Sequence, residues 1–236
     1  MVYRASYSLI RQYLFIAMLA LLVSGTHLRA DDSGCNGQPV TNRQFQQQPG
    51  DILNARHLEI TRSFTGTGTL DVSVCNGELR VRARPDGKEL KLSVELDEKS
   101  DLQPAPEYIQ TLRVAPSNAV VHLKFPGGTH AVVTLTLPMN KGLKSDFNLG
   151  KGDLSFDAIG SAGQRTINVG YGHTKLLVEG DKSYAGMQVN IGMGTLHDHR
   201  PGGRDGHFAI SRNYSGTGDG LLEINIGMGG MDISQE

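Results

Sequence analysis

From Leu58 onward the chain alternates apolar and polar residues. In TLDVSV the apolar places are Leu70, Val72 and Val74, and in ELRVRA they are Leu79, Val81 and Ala83, the period of a strand with one buried face. KLSVEL, AVVHLKF and AVVTLTLP continue the series. Asn76-Gly77 falls between the first two runs. Both residue types tolerate positive φ, so the pair predicts a hairpin or a tight corner. Pro126-Gly127-Gly128 predicts another turn, and Asp97 to Glu107, with Pro104 and Pro106, the longest loop of this half. Residues 31–57, which include QFQQQPGD, show no such period and predict an extended lead-in.

The second half carries four gapless repeats: FNLGKGDL from Phe147, INVGYGHT from Ile167, VNIGMGTL from Val189 and INIGMGGM from Ile224. Each reads apolar-Asn-apolar-Gly-x-Gly, which marks a repeat architecture. Their starts are 20, 22 and 35 residues apart, and the last interval holds an insertion around RPGGRDGH and SGTGDG. Phe147 and Leu149 share one face of a strand, with Asn148 on the other. Beyond the glycines, Leu154 and Phe156 fall on the opposite parity, so a regular strand cannot bury both sets. The glycines must therefore bulge or turn the chain. Stacked units of this kind would bury one column of Phe147, Leu149, Ile167, Val169, Val189, Ile191, Ile224 and Ile226. The expected fold is all-β, a β-solenoid or coiled β-sheet of short strands with Gly-x-Gly corners and little helix beyond the N-terminal leader.

The succession LDVSVCNGELRVRA, VVTLTLPMNKGLKSDFNLGKGDLSF and then the Gly-x-Gly units resembles the "putative adhesin" family of bacterial exported domains of unknown function. The resemblance covers roughly residues 58–236. It implies one repetitive β domain, clearest over 143–236, associated with the cell envelope and without established catalytic residues. The cysteine pair and the long interval before Ile224 depart from the family's pattern. Fold alone does not assign function.

Composition supports short strands and tight turns, with 30 glycines and no tryptophan. At the N-terminus Arg4 and Arg11 precede an apolar run from Leu14 to Val23 and a small-residue segment ending at Ala30. This is the layout of a signal peptide cleaved after Ala30, since the run is shorter than the roughly 20 residues of a spanning helix. The expected destination is the periplasm, cell envelope or exterior, with membrane contact only through an uncleaved leader. Removing residues 1–30 takes away Arg4, Arg11 and Arg29 and no acid, leaving 20 basic and 24 acidic residues and a formal charge of −4. Such a balance gives no general attraction to nucleic acid. Cys35 and Cys75, an even pair in an exported chain, predict a disulfide that ties residues 31–57 to the body.

Candidate chemistry is sparse. Asn148, Asn168, Asn190 and Asn225 predict an amide ladder at the strand spacing. It reads first as a structural cap of the glycine corners and second as a flat face for a glycan or peptide. Between the paired glycines sit Lys151, Tyr171, Met193 and Met228. They would form a contact strip if they project and core if the corner folds inward; core is the simpler reading. His197 and His199 share a strand face, but a closed metal site needs about four ligands and no third can be named, so His197, Asp198 and His199 read as a solvated polar cluster. The aspartate of GKGDL does not recur in the other repeats, which removes a calcium repeat. There is no GxSxG, HExxH or complete phosphate loop. Asp153 and Asp157 are the only pair to weigh as glycosidase carboxylates.

No catalytic residue, metal or cofactor is therefore expected. The function expected is a non-catalytic adhesin-like binding or scaffold domain. Its partner would be a surface polymer or envelope protein. The alternatives are self-assembly through an open end at MDISQE and, more distantly, a polysaccharide-active enzyme.

Overall fold

The computed structural model describes residues 43–84, 87–97, 104–138, 140–158 and 163–236, all within one compact unit, Asp32–Glu236. The leader, its cleavage site and Cys35, the predicted partner of Cys75, lie outside the described residues. Five long strands dominate: β4 (Thr69–Ala83), β9 (Lys144–Asp157), β10 (Gly163–Val178), β11 (Gly186–Asp198) and β14 (Gly220–Gln235). They lie side by side in the order β11-β14-β10-β9-β4, all parallel. The register is that of the repeats: Asn190 faces Asn225, Asn225 faces Asn168, and Asn168 faces Asn148.

In every one of the five the buried positions change parity at the glycines. Phe147 and Leu149 are buried before them and Leu154 and Phe156 after. The same shift separates Ile167 and Val169 from Leu176, and Ile224 and Ile226 from Met231 and Ile233. The whole predicted column is buried, at about 1.5–3 kcal/mol for each large side chain. Each strand runs unbroken through its glycines. Yet the rings of Phe147 and Phe156 meet edge to face, 5.2 Å between centroids. Nine residues of straight strand would span about 30 Å, so β9 folds its two arms towards each other over the core.

The stack continues beyond β4 on both arms. The first arm of β4 pairs in parallel with β7 (Asn118–Leu123), which pairs with β6 (Ile109–Val114) and that with β1 (Gln44–Phe45). The second arm pairs in parallel with β8 (Ala131–Leu137), followed antiparallel by β5 (Glu89–Leu96), β3 (His57–Ser63) and β2 (Ile52–Leu53). At the opposite end β11 pairs antiparallel with β13 (Ile210–Ser215) along its first arm and with β12 (Gly206–His207) along its second. The sheet is not closed.

Several expectations change. Asn76-Gly77 does not make a hairpin; β4 continues through it, with Gly77 at the expected positive φ, +124°, and paired with Gly152. Val72-Ser73-Val74-Cys75-Asn76-Gly77 is thus a fifth repeat, with Ser73 in the asparagine place and buried Cys75 in that of the first glycine. The lead-in contains two short strands, β1 and β2, and Asp51 within it forms a bidentate pair with Arg62. Described residues of the 97–107 loop include a 3-10 turn, Ala105–Tyr108. The turn at 126–128 is present, with Thr129 N–H donating to Pro126 O. The stack also departs from sequence order: β14 inserts between β10 and β11, so MDISQE belongs to an interior strand and its edge is not open.

Candidate functional site

The four asparagines are half-buried and bonded in one direction. Asn168 Nδ2 donates to Asn148 Oδ1 at 2.9 Å, Asn225 Nδ2 to Asn168 Oδ1 at 3.1 Å, and Asn190 Nδ2 to Asn225 Oδ1 at 3.0 Å. Ser211 on β13 closes the row by donating its hydroxyl to Asn190 Oδ1 at 3.0 Å. An amide has two N–H donors and two acceptor lone pairs, so the ladder leaves each side chain capacity for a second partner. Asn225 serves three partners, Asn168, Asn190 and, through a bond to Oε1 at 3.2 Å, Glu223. Asn225→Ala is expected to lower stability by about 1–2 kcal/mol, the net worth of its three partly exposed hydrogen bonds; urea denaturation measures it.

The residues between the paired glycines project outward, which overturns the core reading of Tyr171, Met193 and Met228. Their exposures are 53%, 49% and 45%. They stand where the buried side of each strand passes from one parity to the other. Register places Met193 beside Met228, Met228 beside Tyr171, Tyr171 beside Lys151 and Lys151 beside Asn76. The Lys151 ammonium lies over the Tyr171 ring, 5.6 Å from its centroid. Phe208, which sequence reasoning did not single out, extends the strip past Met193. Its N–H bonds Gly194 O at 2.7 Å, its φ is +66°, and it is 68% exposed. A bulky residue held at positive φ stores strain of about 1–3 kcal/mol, here in presenting a ring to solvent.

Four histidines, His173, His197, His199 and His207, gather at the second arms of β10 and β11. His197 lies near His199 and His207, with ring centroids 6.3 and 6.4 Å away. Asp232 pairs with both His173, at 2.9 Å, and His199, at 3.6 Å, while Asp205 pairs with His197 at 3.3 Å. Burial works to raise the Asp232 carboxyl, but the His173 hydrogen bond and the two imidazole charges outweigh it and hold the pKa low. Among the described residues no group of three or more His, Cys, Asp or Glu is placed to hold a metal. Asp153 and Asp157 are four apart on β9, about 13 Å between their backbones along a strand.

The insertion between the third and fourth repeats builds a second feature. Arg200, just past β11, makes a bidentate pair with Asp198 at 2.8 and 2.7 Å and donates to Tyr184 Oη at 2.5 Å. Its guanidinium lies 4.6 Å from the Tyr214 ring centroid. The Arg200 and Asp198 side chains are 8% and 1% exposed. Burial would raise the Asp198 pKa, but Arg200 overrides it and holds it below the ordinary value. This pair borders a cleft of about 710 Å³ rimmed by Arg204 and Arg212. Only the lengthened repeat interval pointed here. A further basic group, Arg165, is fully buried near the start of β10, and burial lowers its pKa to about 10.

No family model matches the chain and no curated protein matches it. Among solved structures it is similar to one described as a "putative cell adhesion protein" from Clostridium sporogenes. Identity is 15%, over 75% of this chain and 99% of that one, with a TM-score of 0.46. Among the described residues no helix is long and apolar enough to cross a membrane.

Proposed function

We propose that the chain is an exported, non-catalytic binding module of the adhesin-like kind, which holds a surface polymer or an envelope protein on the strip Tyr171-Met228-Met193-Phe208. In this reading the five long strands are rungs of a short β-solenoid with Gly-x-Gly corners. Cleavage after Ala30 releases it into the periplasm, envelope or exterior, and a Cys35–Cys75 disulfide fastens its N-terminal segment.

One observation carries the proposal. Among the described residues six large hydrophobic side chains are exposed, Ile52, Tyr171, Met193, Phe208, Leu221 and Met228; Met193, Met228 and Tyr171 are register neighbours, and Phe208 bonds the backbone of Gly194 at the end of their row. Three strand spacings make it about 14 Å long, and contiguous exposed apolar surface marks contact sites. The flanking glycines leave bare backbone on either side, and the asparagine ladder runs parallel to it on the first arm.

The test is co-sedimentation of the exported chain with insoluble envelope polysaccharide, peptidoglycan sacculi, and with a detergent extract of envelope proteins. Tyr171→Ser, Met193→Ser and Met228→Ser combined should cut retention at least tenfold while the melting temperature moves by no more than a few degrees. Retention unchanged in that variant would remove the strip from the function. The self-assembly alternative no longer has MDISQE as its edge, since that strand is flanked on both sides, and would use an outer strand of the unclosed sheet instead.

A further inference from the structure

The insertion that interrupts the repeats turns the end of the stack beside β11 into a concave, basic surface. Its charges divide into two sets. Arg200 is spent inside the protein, its fork closed on Asp198 and Tyr184. Arg204 and Arg212 are exposed, and no ion pair engages either among the described residues. Asp181, the one other acid of the cleft, accepts from Tyr184 Oη at 3.2 Å. A phenol hydrogen bond leaves the Asp181 charge in place, so with Arg200 and Asp198 paired off, Arg204 and Arg212 outweigh Asp181 by one positive charge in the cleft, although the exported chain as a whole is acidic, with 20 basic and 24 acidic residues.

Both free guanidiniums stand on ordered backbone. Arg204 follows a tight turn in which Gly203 N–H donates to Arg200 O at 2.8 Å. A side chain at Gly203 would meet Asp198 O at 2.1 Å, so the turn is pressed against the end of β11. Arg212 lies within β13, in ladder with Val189. Two arginines lining one cleft suit planar anionic groups, which guanidinium binds through paired N–H donors. Neutral hydrogen-bonding groups, Asn213, Ser215 and Gln235, share the lining with Tyr214. That combination serves hydroxyls and a ring face rather than a bare inorganic ion. The volume of about 710 Å³ falls in the range of small-ligand sites.

We propose that this cleft is a second binding site, distinct from the apolar strip, for an acidic sugar unit of a polysaccharide, its carboxylate or sulfate held by Arg204 and Arg212. This rests on the binding-module reading and deepens it: the cleft adds a charge-selecting site that binds independently of the strip.

Affinity electrophoresis of the full exported chain tests it, with polygalacturonate, dextran sulfate or neutral dextran cast in the gel. Retardation is expected with polygalacturonate or dextran sulfate, whichever carries the fitting acid, and not with dextran. Arg204→Gln with Arg212→Gln should weaken that retardation at least tenfold with an unchanged melting temperature. The strip variant Tyr171→Ser, Met193→Ser, Met228→Ser should keep the retardation, which separates failure of this site from failure of the strip. The inference is overturned if neither acidic polymer retards the protein, if dextran retards it equally, or if the double arginine variant behaves as wild type. It is likewise overturned if single-stranded DNA competes as well as the acidic sugars, which would make the cleft a general polyanion or nucleic-acid surface.

Discussion

Gly172→Ala is expected to cost about 3–5 kcal/mol, the range of a severe core or backbone clash. Gly172 has φ +152°, and a Cβ there would lie 1.7 Å from Gly152 O. The obstacle is backbone, not a side-chain tip, so the neighbouring rung must move or the ladder must open. Gly229 meets Gly172 O, and Gly194 meets Gly229 O, at similar distances, so the strain would spread along the stack. Gly127→Ala is the control: nothing lies within 4 Å of a Cβ at that position, and a change within about 0.5 kcal/mol is expected. For a protein of this size the difference is a fall in melting temperature of about 10 °C. Equal melting temperatures for the two variants would contradict the close approach of the glycine row.

Asp198→Ala should cost about 3–5 kcal/mol, because it leaves the Arg200 charge buried and half-partnered. Replacing both residues, Asp198→Leu with Arg200→Met, should cost less than the single change, since no buried charge then remains. The effect depends on pH. Arg200 holds the folded Asp198 carboxyl below its ordinary value, so the pair stabilises fully above the unfolded pKa of about 4, and that contribution is lost as pH falls through the folded value. Chemical denaturation should show the deficit of Asp198→Ala in full at pH 7 and shrinking below pH 4. A deficit that persists undiminished at pH 2 would assign it to packing instead of charge.

The repeats were legible because they obey two rules at once, strand alternation and the loss of a side chain where backbones meet. Asn148, Asn168, Asn190 and Asn225 were legible for the same reason, since identical residues in register find each other. Strand order was not legible. Any arrangement of the four repeats builds the same apolar column, and periodicity carries no information about which edge of β10 receives β14. The fifth repeat was hidden by Ser73 and Cys75 standing where asparagine and glycine are expected. Strand parity requires the alternation to break at the glycines but carries no sign for the side, so it does not reveal that Tyr171, Met193 and Met228 face solvent. Arg200, Arg204, Arg212, Tyr214 and Phe208 sit in the one segment without a period, where sequence pattern has no template. The frame comes from repetition and the candidate chemistry mostly from its interruption.

The claim on which both binding surfaces depend is that β14 lies between β10 and β11. Engineered disulfides test it, since cross-linking requires Cα atoms about 4.4–6.8 Å apart and adjacent rungs stand about 4.8 Å apart. Met228→Cys should form a disulfide with Met193→Cys and, in a separate variant, with Tyr171→Cys, their register partners. Tyr171→Cys with Met193→Cys, two rungs apart at about 10 Å, should not. Peptide mapping of the oxidised variants by mass spectrometry distinguishes these links from those of Cys35 and Cys75. A Tyr171–Met193 link formed in preference to the two Met228 links would restore sequence order to the stack and break the strip.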